Sequence, residues 1–278
     1  MQDLQYLRPT TLEDALDLLD KYGKEAKILA GGTDIIIALK DKAIRCKYII
    51  DIKGIKDMQN ITFSEEGGLS IGAAVSLNDI IESQDVKTNY NILIQSAKTL
   101  ANSLLRNRAT LIGNICNSSP GGDMLPASLV LEGNLEVASK DGKRIIPLKD
   151  FFTGVKRNAL REAEVVTKIT FPPLVGQGIF LKKSRIKGHD LAQISVAAFL
   201  NENGSLKFSI GAAAPTPILV EDFRNYKKEE LLDNKSEIID KVMCSINPIS
   251  DVRATKEYRL AMVRYFTDEI IDGLVGGL

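Results

Sequence analysis

The chain has 278 residues, with 36 lysines and arginines against 36 aspartates and glutamates, so its formal net charge is zero. That balance argues against nucleic-acid binding, which calls for a basic face toward the phosphates, and no apolar run approaches the roughly 20 residues that span a bilayer. A single histidine, His189, and three scattered cysteines, Cys46, Cys116 and Cys244, exclude a histidine metal site, a histidine proton relay or an iron–sulfur cluster held by this chain alone. Any redox chemistry must therefore come from an organic cofactor. The scattered cysteines suit a reducing compartment, and Met1-Gln2-Asp3-Leu4-Gln5 has neither the basic start nor the apolar stretch of a secretory signal. A cytoplasmic protein is expected.

In chain order, Thr10 and Glu13 have the spacing of a capping box. The apolar face of Leu12, Ala15, Leu16 and Leu19 predicts a helix ended by Tyr22-Gly23. Ala26 to Ala30 reads as a buried strand broken by Gly31-Gly32, a second apolar segment covers Ile35 to Leu39, and Tyr48 to Ile52 is another β-branched strand. From about residue 57 the pattern changes to a hairpin over Asn60–Gly72, then helices over Leu77–Ser83 and Asn91–Leu100. Strands at Leu135–Ser139 and Arg144–Leu148 flank the turn Asp141-Gly142, and Glu164–Phe171 is a strand closed by Pro172-Pro173. Val175-Gly176-Gln177-Gly178 is the best linker, followed by strands at Ile179–Lys183, Ile194–Leu200 and Leu206–Ala212. Helices are expected at Lys227–Ser245 and Glu257–Leu274. The charged stretch Glu221–Lys241 reads as a solvated helix face rather than a docking surface. His189, within Lys187-Gly188-His189-Asp190, reads as an exposed turn residue rather than a catalyst. Two domains, 1–175 (subdomains about 1–56 and 57–175) and 176–278, are expected.

Two loops carry the chemical signal. Ala30-Gly31-Gly32-Thr33-Asp34 lies where a strand gives way to an apolar segment. Its paired glycines let the backbone approach a bulky anion, Thr33 adds a hydroxyl, and a helix starting near Asp34 would point its first amides into the loop. It matches neither GxGxxG nor a Walker loop, and a tight strand-to-helix turn is the plain alternative. Thr110 to Asp123 (Thr110-Leu111-Ile112-Gly113-Asn114-Ile115-Cys116-Asn117-Ser118-Ser119-Pro120-Gly121-Gly122-Asp123) reads as a long loop of small, polar and turn-forming residues. Its amides and hydroxyls suit a ligand with many hydroxyls and a pyrophosphate, though they also serve to satisfy its own backbone. Asp123 is placed to cap the following helix, with Pro126 in the first turn.

These loops, taken with Phe151-Phe152-Thr153-Gly154, Glu164 to Pro172, Leu181 to Arg185, Ile194 to Ala198, Ala214-Pro215-Thr216-Pro217 and Asp251 to Arg259, form an ordered set across almost the whole chain. The set resembles the FAD-binding (medium) subunit of molybdenum hydroxylases, the family of xanthine dehydrogenase, nicotinate dehydrogenase and aerobic carbon monoxide dehydrogenase. The resemblance implies an α+β protein: a PCMH-type FAD-binding region of two α/β subdomains, then a C-terminal α+β domain like that of the CO dehydrogenase flavoprotein. It implies that Ile28, Leu29, Ala30, Gly31, Gly32, Thr33 and Asp34 wrap the FAD pyrophosphate. Thr110, Gly113, Asn114 and Asp123 would contact the ribityl, pyrophosphate and adenosine portions, with Leu100 and Ala101 nearby, Val166 near the flavin ring and Lys182 close to the flavin. Ile112 stands where the family usually has a glycine, and because a β-branched residue resists φ > 0, the backbone there is expected to differ. The chain has no inserted four-cysteine loop of the benzoyl-CoA-reductase-like branch.

The function implied is oxidoreductase electron transfer within a multi-subunit complex. A large molybdopterin subunit oxidises the substrate, a small [2Fe-2S] subunit passes the electrons on, and FAD delivers them to an acceptor such as NAD. The iron–sulfur clusters and molybdenum cofactor belong to the partners, and this chain carries no catalytic or metal-ligating residue of its own. With Thr33 in the glycine loop and neither histidine nor cysteine beside it, the FAD is expected to be non-covalent. Two alternatives are a self-contained FAD-dependent reductase or oxidase of the same FAD fold, and a non-enzymatic nucleotide-binding scaffold.

Overall fold

A computed structural model describes residues 4–186 and 190–276; His189 lies outside them, as do Met1, Gln2 and Asp3. The chain opens with strand β1 (Gln5–Leu7), helix α1 (Leu12–Tyr22), β2 (Ala26–Leu29), α2 (Ile35–Lys40) and β3 (Tyr48–Asp51). The three strands form a parallel sheet in the order β1-β3-β2. The cap of α1 falls one residue later than expected. Thr11, in extended backbone, accepts a hydrogen bond from the Asp14 amide at 3.1 Å, so Thr10 and Glu13 do not make the box.

The second subdomain begins with the hairpin β4 (Ile61–Ser64) and β5 (Gly68–Gly72). Six helices follow: α3 (Leu77–Glu82), α4 (Gln84–Asn89), α5 (Asn91–Thr99), α6 (Ser103–Arg106), α7 (Leu111–Asn117) and α8 (Met124–Val130). Strands β6 (Asn134–Ser139) and β7 (Gly142–Pro147), the small hairpin β8 (Phe152–Gly154) and β9 (Arg157–Asn158), and β10 (Val165–Phe171) complete it. All pairings in its five-stranded sheet, β4-β5-β10-β6-β7, are antiparallel.

Thr110–Asp123 is not a long irregular loop, because α7 occupies its first half. Thr110 caps this helix, accepting from the Gly113 amide at 2.9 Å, and Leu111, Ile112 and Ile115 bury one face. The polar residues between them masked that apolar stripe in the sequence. Ile112 has helical backbone and is buried, so no positive φ is demanded of it and the β-branched side chain packs into the core. Asp123 does not cap α8; its carboxylate turns toward another domain, as described below.

The last region is a four-stranded meander of β11 (Gly176–Lys183), β12 (Ile194–Asn201), β13 (Leu206–Gly211) and β14 (Ile218–Val220), followed by α9 (Glu230–Asp233), α10 (Lys235–Cys244) and α11 (Lys256–Gly276). The expected linker at Gly176–Gly178 is instead the first part of β11. A Cβ on Gly176 would lie 2.2 Å from the Leu200 carbonyl oxygen, and one on Gly178 would lie 2.9 Å from Ile92 Cβ. These glycines mark close approach, not flexibility. The single helix expected over Lys227–Ser245 is broken between α9 and α10.

The meander has helices on both faces: α5 and α8 from the preceding region on one, α11 on the other. Phe180, Ala197 and Phe199 belong to the large N-terminal core, whereas Ile194, Val196, Ala198, Phe208 and Ile210 belong to a second core with α10 and α11. Strand β12 is therefore buried from Ile194 to Leu200, which explains its unbroken apolar run. Among the described residues no helix is long and apolar enough to cross a membrane.

Candidate functional site

The glycine loop links β2 to α2. A Cβ on Gly31 would stand 2.1 Å from the Arg108 carbonyl oxygen, so only glycine lets this loop lie against the segment leading into α7. Gly32 has φ +85°, the left-handed region that side chains resist. Asp34 accepts from the Asn117 side-chain amide at 3.0 Å, tying the loop to the end of α7. Beneath it, Lys53 donates to the Ala30 carbonyl at 2.9 Å and to Asp51 at 2.6 Å, while the Tyr6 hydroxyl bonds the other Asp51 oxygen. Burial works to raise the Asp51 pKa, but the bonds from Lys53 and Tyr6 outweigh it and hold the carboxyl below its ordinary value. Ile28 to Asp34 and Thr110 to Asn117 thus meet as one surface.

The second half of the site runs from α7 to α8. Asn114 accepts from the Met124 amide at 3.2 Å, bridging the turn that contains Gly121 and Gly122. Asp123 accepts from Lys182 of β11 at 2.8 Å; the two side chains are only 8% and 5% exposed. Lys182 also donates to the Thr99 carbonyl at 3.2 Å, and Ser96 donates to the Asp123 carbonyl at 2.7 Å. The other carboxylate oxygen of Asp123, Oδ1, is buried without a partner. Burial pushes the Asp123 carboxyl up to about 6 despite the lysine beside it. Lys182 has used two of its three N–H groups. An orphaned acceptor beside an ammonium with a spare donor is a site arranged for a further polar group.

Leu100 and Ala101 follow Thr99 directly, and Ala101 takes φ +46°. Val166 lies in β10 with its side chain in the core, next to a register shift between Val166 and Lys168; α7 packs against this strand. The structure thus sets the glycine loop against both ends of α7, the helix that carries Thr110, Gly113 and Asn114, and joins Asp123 and Lys182 across two domains beside Leu100 and Ala101. Sequence reading missed Tyr6, Asp51, Lys53, Ser96 and Asn117. An acid at the end of the apolar strand Tyr48-Ile49-Ile50-Asp51 was a signal for Asp51, since a buried carboxylate needs partners. Ser96, inside a helix, carried none.

A further network crosses the domains below Asp123. Ala212, left-handed at φ +61°, donates to the Pro120 carbonyl at 2.7 Å and accepts from buried Arg259 at 2.5 Å. Arg259 in turn bonds Asp251 at 2.7 Å. Burial opposes ionisation of Asp251, but the Arg253 and Ala254 amides and the Arg259 guanidinium bring its carboxyl down to about 2. The Asp251–Arg259 motif therefore anchors the turn that delivers Asp123.

Residues 2–174 match the family model described as the FAD binding domain in molybdopterin dehydrogenase, and residues 179–273 match the CO dehydrogenase flavoprotein C-terminal domain. The chain belongs to the molybdopterin dehydrogenase family, as an FAD-binding medium subunit. It is 33% identical to a xanthine dehydrogenase FAD-binding subunit of Escherichia coli O157:H7, over 97% of this chain and 95% of that one. It is 29% identical to the carbon monoxide dehydrogenase medium chain of Hydrogenophaga pseudoflava, over 93% and 92%. In three dimensions it resembles carbon monoxide dehydrogenase from Hydrogenophaga pseudoflava, with a TM-score of 0.88 at 25% identity over 98% of this chain and 97% of that one. The medium subunit is thus an oxidoreductase subunit with the α+β architecture of this family.

Proposed function

We propose that this subunit relays electrons within a xanthine dehydrogenase-like complex that also contains a large molybdopterin subunit, holding FAD non-covalently between a small [2Fe-2S] subunit and an acceptor such as NAD. The observation that carries the reading is the buried Asp123–Lys182 pair, with an unpartnered carboxylate oxygen, at the far end of the turn that leaves α7, the helix tied to the glycine loop through Asn117 and Asp34. When bound, FAD supplies the step between single-electron donors and a two-electron acceptor such as NAD. The chain's own residues bind and orient it. In this reading the backbone of Ile28 to Asp34 surrounds the pyrophosphate, with Gly31 letting the loop lie against Arg108 and Gly32 supplying its left-handed turn. Thr110, Gly113 and Asn114 complete that wall from α7. The free Asp123 oxygen takes a hydroxyl or N–H of the cofactor, Lys182 offers its remaining proton toward the flavin, and Leu100 and Ala101 line the space, while Val166, its side chain in the core, borders it only with backbone.

What supports the partners is that a relative is named as a medium chain, one of several, and that this chain has no cysteines spaced for a cluster of its own. The deciding experiment assays the purified chain alone and then with iron–sulfur and molybdenum subunits of a relative. Alone, it should carry flavin and pass electrons from NADH to an artificial acceptor without oxidising a purine, aldehyde or nicotinate. Substrate oxidation by the chain alone, free of iron and molybdenum, would overturn the relay and favour a self-contained flavoenzyme.

A further inference from the structure

The C-terminal end of α5 is gripped by two cations from different elements. Helix ends leave their last carbonyls without intrahelical partners and carry partial negative charge. Lys182 takes the Thr99 carbonyl at 3.2 Å. Arg106 takes the Lys98 carbonyl and the two that follow the helix: its Nη1 donates to the carbonyls of Leu100 at 2.9 Å, Ala101 at 3.2 Å and Lys98 at 3.4 Å. The guanidinium is steadied from behind, where Nε donates to Asn78 Oδ1 at 3.4 Å while the Asn78 amide donates to the Ser103 carbonyl at 3.0 Å. The turn is fixed from its far side too, since Asn102 accepts from the Leu105 amide at 2.9 Å and so starts α6, the helix that carries Arg106.

At the centre of this grip is Ala101 at φ +46°, a conformation that a residue with a Cβ adopts only when its surroundings impose it. Two residues earlier is the carbonyl bound by Lys182, the partner of Asp123. We propose that Arg106 is a positioning residue for the cofactor: by binding the Leu100 and Ala101 carbonyls it holds Ala101 left-handed and so sets the backbone facing the Asp123–Lys182 site. This rests on the reading that Leu100 and Ala101 border bound FAD. Arg106 itself acts through the backbone.

The test is FAD titration of the full chain after removal of cofactor, with circular dichroism to verify folding. Arg106→Ala should raise the FAD dissociation constant about tenfold, since a residue freed from the left-handed region gains on the order of a factor of ten in favour of other backbone states. Adding Ala101→Gly should bring binding back to within about threefold of the natural chain, because glycine takes positive φ without the Cβ penalty. A role confined to general stability predicts no such rescue. Arg106→Lys keeps the charge but reaches fewer carbonyls; it carries the same test in milder form if the alanine variant does not fold, with a loss of about threefold that Ala101→Gly again reverses. Unchanged FAD affinity in the folded Arg106 variants, or failure of Ala101→Gly to restore it, overturns the proposal. A natural chain that takes up no FAD overturns instead the cofactor reading on which it stands.

Discussion

At Gly31 a methyl group has nowhere to go: its nearest neighbour would be the Arg108 carbonyl oxygen at 2.1 Å, which is backbone and cannot swing aside. Gly32 meets a different obstacle, a left-handed φ with Leu29 Cδ1 3.0 Å from any added Cβ. Gly32→Val should therefore leave a folded chain without bound flavin, read as loss of absorbance near the flavin bands at unchanged circular dichroism. Full flavin content in the variant would remove this loop from the cofactor site. Asp123 makes a pH prediction. Its carboxyl is raised to about 6 in the folded chain, above the roughly 4 of an unfolded aspartate. The folded state thus binds the proton more tightly. The stability from this group is fully present below the unfolded value and is lost as pH rises through the folded one. Denaturant unfolding of cofactor-free protein from pH 4 to 7 should show this decline relative to Asp123→Asn, which cannot titrate. Parallel curves for the two proteins would contradict the buried, raised carboxyl.

Among the elements, β11 and β12 do the most to build the site, because one sheet serves two cores. Lys182 pairs in register with Ser195 of β12 and reaches Asp123, whereas Leu181, on the opposite face, packs in the second core. Gln95 of α5 holds the sheet in place, accepting from the Phe180 amide at 2.9 Å and donating to the Gly178 carbonyl at 3.1 Å. The N-terminal end of α11 contributes Arg259, which is buried and depends on Asp251 for its charge partner. Asp251→Asn should cost roughly 3 kcal/mol at neutral pH, the order seen when one member of a buried ion pair is removed. Asp251 has the opposite sign to Asp123: its folded pKa of about 2 is depressed, so its stabilisation is present above the unfolded value and disappears as pH falls through about 2. The difference between natural and Asp251→Asn chains should therefore shrink in acid. A difference independent of pH would assign the cost to something other than this charge.

For the whole molecule, the proposed cofactor site would be shared between the FAD-binding domain and the C-terminal domain. Asp123 comes from one and Lys182 from the other, and the Ala212–Pro120 bond crosses between the same two regions. Flavin held in this way should leave with acid precipitation. The loop from Ile28 to Asp34 contains no histidine or cysteine, so it offers no side chain of the usual covalent kind. Colour remaining in the pellet would show a covalent link and count against the proposed binding mode.

Much of this was legible from the chain alone. Local order needs only local information: apolar periodicity marked α1, α5, β3 and β12, glycine pairs marked the turns, and the absence of clustered cysteines left redox chemistry to an organic cofactor. The ordered motifs from Ile28 to Arg259 carried the family. What the sequence could not convey depends on groups far apart in the chain. Gly176 and Gly178 read as a flexible linker, because the Leu200 carbonyl and Ile92 that crowd them lie outside the local segment. Asp123 read as a helix cap, because a cap needs only the next turn, whereas its actual partner is 59 residues away. The left-handed Ala101, the three-carbonyl grip of Arg106 and the unpartnered Asp123 oxygen likewise exist only once α5, α6, α8 and β11 are packed together. Periodicity reports which face of an element is buried, but it does not report what the element is buried against. That choice, made by packing two cores against one sheet, turned a set of loops into a site.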